Sequence, residues 1–228
     1  MARRWQQALA AQPALRQCLP TGATPQPAYA AVADLVAAGL ASFARSIVFG
    51  LDEFGGLPAD HPARCDRMLR QTLIAGIDLP DGSWRRLDPE APDLGAECRR
   101  FAEEVAAGGL DLCVLGLGAN GHLGLNEPGS PADAPTRRVE LAPETVQSAA
   151  RYGDGSVTPS WGLTLGMAEI LAADQVWLLV TGASKAAVLA RALEGPVGPA
   201  VPASFLQEHP ACLVLADEAA ASGLSRSR

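Results

Sequence analysis

Four short runs in this chain are apolar without alternation: "SIVFGL" (46–51), "LDLCVLGL" (110–117), "QVWLLVT" (175–181) and "ACLVLAD" (211–217). A strand with one wet face alternates apolar and polar residues, so continuous runs belong to strands covered on both sides. Helical patterns separate them, over 27–39, 61–76 (with Pro62 in the first turn), 92–109 (ended by Gly108 and Gly109), 164–174 and 183–195. A weaker strand, "LRQCL" (15–19), comes first and carries Arg16 and Gln17. Such alternation predicts an α/β fold, a mostly parallel sheet with helices on both faces. No repeat or linker divides the chain, so one domain is expected over 1–228. Within it, 134–161 has Gly, Pro and Arg but weak periodicity, and is the candidate mobile lid.

Composition narrows the function. The 228 residues carry a formal charge of −7. A nucleic-acid partner is therefore not expected, because a phosphate backbone requires a basic face. No stretch is apolar and long enough to cross a bilayer, so no membrane partner is expected. "MARRWQQALAAQP" lacks the apolar core and cleavage site of a signal peptide. Five scattered cysteines (Cys18, Cys65, Cys98, Cys113, Cys212) without a CxxC read as reduced thiols of a cytoplasmic protein. With three histidines, a His-based metal site is poorly supported, and no metal is expected. Of the 18 basic residues, one is lysine, Lys185, which draws attention to its loop.

Four of the strand ends carry polar or glycine-rich loops: "TGATP", "DEFGGLP", "GANGHLGLNEPG" and "TGASK". In parallel sheets ligands bind beyond the carboxyl ends, so one composite site is expected. Residues 116–121 formally satisfy GxGxxG, but "HLGLNEPGSPADAP" follows, and a dinucleotide fold needs a helix there. A catalytic loop fits better. Its glycines, Gly121 among them, let the backbone approach a small substrate. His122 exchanges protons near neutral pH, Glu127 returns to orient and charge-stabilise it, and Asn120 fixes its tautomer or bonds a substrate hydroxyl. The alternative is that these groups only satisfy a turn.

"TGATP" offers Thr21, Gly22 and Thr24 as a phosphate cradle, or equally a helix N-cap with Pro25 starting the helix. "TGASK" repeats the pattern and adds Lys185, a point charge suited to phosphate. Arg151 is a candidate second cation, or a solvated arginine. Asp52 and Glu53 end the strand "SIVFGL", where an acidic pair supplies a general base or solvates a loop. Neither a GxSxG elbow nor a Walker lysine is present.

"LPTGATP", "LDEFGGLP", "LDLCVLGLGANGHLGLNEPG", "LTLGMAEILAADQVWLLVTGASKA" and "VPASFL" together resemble the glucosamine/galactosamine-6-phosphate deaminase-isomerase family, from about Leu19 to Leu215. Two stretches, "GGLDLCVLGLGANGHLGLNEPG" and "GPAVPASFLQEH", are most similar to the galactosamine-6-phosphate branch. The resemblance implies a Rossmann-like sheet and an amino-sugar phosphate as the small-molecule partner. It implies no metal or redox cofactor. It also implies a reaction: the ring opens, a proton moves from C2 to C1, and the ketose imine loses ammonia by hydrolysis. Galactosamine 6-phosphate would give tagatose 6-phosphate; the alternative, glucosamine 6-phosphate, would give fructose 6-phosphate.

By the same resemblance Asp52 is the base at carbon. His122 is the ring-opening acid/base, supported by Glu127 and Asn120, where some relatives carry Asp. Thr21, Gly22, Thr24 and Lys185 match the phosphate loops, and Arg151 matches after a short gap. Two proton-transfer groups make chemical sense, because one serves the ring oxygen and the other a carbon acid unreactive until the ring opens. Phosphate binding away from the reacting carbons helps hold them in place.

Two other readings are a 6-phosphogluconolactonase-like hydrolase, which needs no carbon-acid base, and a non-catalytic sugar-phosphate sensor. "SPADAPTRRVEL" departs from the basic pattern by which allosteric relatives bind an N-acetylated sugar phosphate. The expected velocity curve is therefore unchanged by N-acetylglucosamine 6-phosphate, as a steady-state titration would record.

Overall fold

The computed structural model describes residues 1–152 and 157–225. Its elements run α1 (Ala2–Ala11), β1 (Arg16–Leu19), α2 (Gln26–Ala37), β2 (Ile47–Gly50), β3 (Asp52–Phe54), α3 (Cys65–Thr72), β4 (Trp84–Arg85), α4 (Leu94–Ala106) and β5 (Leu112–Gly116). They continue with β6 (Arg137–Glu140), α5 (Pro143–Ala149), β7 (Trp161–Thr164), α6 (Met167–Leu171), β8 (Val176–Val180), α7 (Ala186–Glu194), β9 (Cys212–Ala216) and α8 (Glu218–Ala221). The apolar runs form a six-stranded sheet ordered β4-β2-β1-β5-β8-β9. Every pairing in it is parallel.

Pleating divides each apolar run between two cores. Leu112 and Val114 face one way, with Trp5, Tyr29, Val32 and Leu69 of α1, α2 and α3. Cys113 and Leu115 face the other, with Phe101, Ile170, Leu189 and Ala220 of α4, α6, α7 and α8. Both faces being buried, no polar alternation is tolerated, and the sequence shows none.

The two polar residues of β1 are accommodated individually. Gln17 is buried and accepts the indole N–H of Trp5 at 2.7 Å. Arg16 carries its guanidinium outward to the carbonyls of Gly109 (2.8 Å) and Glu104 (2.7 Å), with Phe49 beneath it. The N-terminal helix is a firm part of the fold, because Trp5 is fully buried.

The chain leaves β1 for β2 on one side and later places β5 on the other, so the strand order reverses between β1 and β5. The loops after these strands diverge and open a crevice, the place where such sheets hold ligands.

A second sheet, β3-β7-β6, is antiparallel and was not expected. It corrects the helix expected over 164–174. Thr164 ends β7, paired with both Asp52 and Arg137, so the helix is confined to Met167–Leu171. The helix expected over 61–76 starts instead at Cys65 and ends at Thr72, with a separate 3-10 turn at Ile74–Gly76. Pro62 lies in the turn ahead of it. The buried Glu53 carboxylate accepts the amides of Cys65 and Asp66, and so sets where the helix begins. The candidate lid, 134–161, contains β6 and α5; its residues 153–156 lie outside the described ones.

Leu115 is fully buried at the centre of the sheet. Leu115→Ala is expected to cost about 2–5 kcal/mol through lost burial and the cavity left behind, measured by urea denaturation.

Candidate active site

His122 sits on the loop after β5, and its Nδ1 lies 3.2 Å from Glu127 Oε2. A carboxylate only accepts, so Nδ1 carries the proton and Nε2 is left as the working nitrogen. Gly118 makes room for this ring: a β-carbon there would collide with the imidazole. The GxGxxG pattern is thus explained by a histidine, and no helix opens after it.

Burial alone would raise the pKa of Glu127. The hydrogen bond and charge of His122, with Thr145 and Asn120, overcome it and hold the carboxyl at about 2. Asn120 bonds both the partner of His122 and its backbone. Its Nδ2 donates to Glu127 at 2.8 Å and its Oδ1 accepts the backbone N–H of His122 at 3.1 Å. It therefore orients the imidazole through Glu127 and the main chain. The amide of Ala142 closes the far side of Glu127 at 3.2 Å.

Asp52 opens β3, just beyond β2, paired with Thr164. Burial raises its pKa to about 6, against a hydrogen bond from Cys65 and the charge of His122, which lower it. The Asp52 carboxyl and the imidazole are therefore near enough for the charge of one to act on the other. Gly124 (φ +58) lies beside Asp52, where an added β-carbon would crowd Thr164 Oγ1 and stand 3.5 Å from Asp52 Oδ2.

Glu53, paired with Asp52 in the sequence reading, has a structural fate. It is buried, accepts the amides of Phe54 (2.8 Å), Cys65 (2.8 Å) and Asp66 (2.9 Å), and meets Arg64 at 3.4 Å.

The two hydroxyl loops converge, with Thr181 Oγ1 donating to Thr24 Oγ1 at 3.4 Å. Helix α2 has no side-chain cap, so the N-cap reading of "TGATP" does not hold. Among the described residues the Gly22 amide donates to the Met68 thioether, at 3.4 Å, a weak acceptor that leaves the N–H for a stronger one. "TGASK" is less open than expected, because Asp217 accepts the Gly182 amide at 3.0 Å. Lys185 Nζ donates to the Leu117 carbonyl at 2.7 Å. Its pKa is lowered by burial and then by the charge of Arg151, so the two cations share one region. Arg151 lies exposed in the 3-10 turn after α5. Gly121 is buried beside Val201, and its carbonyl accepts the amide of Ala203, which ties "VPASFL" to the His122 loop.

Three contributors went unread in the sequence. Thr145 stands 3.3 Å from His122 Nδ1. Thr164 accepts the Leu125 amide at 3.1 Å. Cys65 bonds Asp52. None has a local signature, since each reaches the site across a tertiary contact.

A parallel sheet with an imidazole and a buried carboxylate at its switch point defines an α/β enzyme that moves protons on a small ligand. Residues 1–215 match the family described as glucosamine-6-phosphate isomerases/6-phosphogluconolactonase, and the chain belongs to that family. It is 43% identical over 216 residues to the glucosamine-6-phosphate deaminase of Rhodopirellula baltica, covering 91% of this chain and 84% of that one. It is 42% identical over 207 residues to the protein of the same name in Cutibacterium acnes, covering 90% and 79%. A solved monomeric glucosamine-6-phosphate deaminase superimposes with a TM-score of 0.93 at 34% identity, over 97% of this chain and 93% of that one. The 6-phosphogluconolactonase of Trypanosoma brucei follows the same fold with a TM-score of 0.75 at 26% identity, over 98% and 93%.

Because the folded pKa of Asp52, about 6, exceeds its ordinary 3.8, ionising it costs stability. That cost is absent below the ordinary value and complete above about 6. Asp52→Asn is expected to raise the Tm at pH 8 and to raise it less at pH 4, as thermal unfolding at the two pH values would measure.

Proposed function

We propose that the protein is an amino-sugar-phosphate deaminase-isomerase whose substrate is glucosamine 6-phosphate and whose products are fructose 6-phosphate and ammonia. The motif reading favoured galactosamine 6-phosphate. The relatives at 43% and 42% identity, both named glucosamine-6-phosphate deaminase, favour the glucosamine epimer. Galactosamine 6-phosphate is the second reading, supported by the "GGLDLCVLGLGANGHLGLNEPG" stretch. The two sugars differ at C4.

The observation that carries the reaction is the pair of proton-transfer groups in contrasting surroundings. His122 Nε2, opposite the nitrogen held by Glu127, takes the C1 hydroxyl proton and returns a proton to the ring oxygen, opening the ring to the aldehyde. Asp52, desolvated and so more basic than an exposed aspartate, removes the C2 proton and delivers it to C1. Water then adds to the C2 imine and ammonia leaves. Thr21, Gly22, Thr24, Lys185 and Arg151 are the proposed phosphate holders, with Gly121 beside the sugar. In this reading the part of 134–161 around α5 covers the site, bringing Thr145 to His122 and the Ala142 amide to Glu127. A lactonase would not need the buried carboxylate at carbon.

Ammonia release from both sugar phosphates, compared side by side, tests the proposal. The expected result is faster release from glucosamine 6-phosphate, with activity falling below about pH 6 as Asp52 takes up a proton. Asp52→Asn is expected to abolish release, and His122→Gln to slow it by about 10²–10⁴-fold. Lactone hydrolysis insensitive to Asp52→Asn would replace deamination by the lactonase reading.

A further inference from the structure

We infer that the cavity beside Asp52 is a binding site for one water molecule, held by the indole N–H of Trp84 and the carboxylate of Asp66, and that this water is the route by which Asp52 exchanges its proton with solvent. The water site stands on geometry. The exchange rests on the deaminase reading.

Thr21, Asp52, Cys65, Asp66, Trp84 and Arg86 are among the residues that line the cavity. They come from the carboxyl ends of β1 and β2, the start of α3 and the edge strand β4. The space open to the centre of a water molecule is about 10 Å³, close to what a single water requires. Two buried polar atoms of these residues, Trp84 Nε1 and Asp66 Oδ1, have no hydrogen-bond partner among the described residues. A buried indole N–H ordinarily finds an acceptor, as that of Trp5 does in Gln17. Trp84 is fixed by pairing with Val48, and its ring lies against Gly50, where an added β-carbon would stand 3.4 Å from Cη2. Asp66 Oδ2 meets Arg86 Nε at 3.6 Å, whereas Oδ1 has Arg64 Nε at 3.9 Å, too far for a hydrogen bond.

A donor and an acceptor, both unmatched, thus belong to one small cavity. What joins them must be one heavy atom in size, accept from an N–H and donate to a carboxylate. Water does all three. An ammonium ion has no lone pair for the indole. A halide has no proton to give, and it would meet the carboxyls of Asp52, Glu53 and Asp66.

Asp66 and Arg86 lead from this cavity toward solvent, with side chains 21% and 49% exposed. Once Asp52 holds the C2 proton, two paths are open. It delivers that proton to C1, or it passes it to the water while the water passes one of its own to Asp66. The second path breaks the Asp52 O–H bond and one water O–H bond, and forms one water O–H bond and the Asp66 O–H bond. The water is restored, and Asp66 releases its proton to solvent. Delivery keeps the proton of the substrate; exchange replaces it with one from solvent.

High-resolution crystallography of the wild type and Trp84→Phe tests the site. A water within hydrogen-bond distance of Trp84 Nε1 and Asp66 Oδ1 is expected in the wild type, and its loss in the variant. A wild-type cavity holding no such water, or a water unmoved in Trp84→Phe, would overturn the inference. Turnover in D2O tests the route, using whichever sugar phosphate releases ammonia, with deuterium at C1 of the ketose read by NMR. The wild type is expected to place deuterium there in part. Asp66→Asn, whose amide oxygen still accepts from the water but takes up no proton, is expected to lose most of that deuterium. The ratio of the two paths is set within each turnover, so it does not depend on how much activity a variant keeps. Deuterium absent from the wild-type product, or retained in full by Asp66→Asn, overturns the exchange route. If the wild type releases no ammonia from either sugar, the deaminase reading falls, and the crystal structures still decide the water site.

Discussion

Parallel pairing of β1 with β2 on one side and β5 on the other is the constraint on which the rest depends. A parallel ladder sends every carboxyl end to one edge of the sheet. Four loops, far apart in the chain, are therefore delivered to one crevice without any contact having to recruit them. The cost is that both faces must be buried, and helices from opposite ends of the chain meet it, α1 to α3 on one face and α4, α6, α7 and α8 on the other.

Two adjacent carboxylates show how the protein divides labour by environment. Glu53 is surrounded by amides and Arg64 and holds the start of α3. Asp52, one residue earlier, is desolvated with few donors and sits well above an ordinary aspartate. Glu127, beyond the imidazole, is held at about 2 by the donors around it. The three carboxyls differ because of what surrounds them, and the two beside His122 have opposite tendencies: one stays ionised, the other takes up a proton readily.

The antiparallel sheet β3-β7-β6 gives this division its geometry. Its central strand pairs with β3, which carries Asp52, while Thr164 at its end reaches the loop that carries His122. Both Asp52 and the loop of His122 are thereby referenced to one short strand. That strand went unread because "TLGMAEIL" has helical spacing, and only pairing with partners more than a hundred residues and about thirty residues away converts Thr164 to extended backbone.

The sequence by itself determined the parallel sheet, its main helices and the four site loops. Continuous apolar runs and helical periodicity are local patterns, and His122, Glu127 and Asp52 stand in strand-end motifs. It did not determine what each group touches. That Asn120 acts through Glu127, that Glu53 anchors a helix, that Asp217 occupies an amide of the "TGASK" loop, and that Thr145, Thr164 and Cys65 reach the site are decisions of the tertiary structure alone. Hydrogen bonds and desolvation depend on distances between residues that the chain keeps apart, and only folding sets those distances.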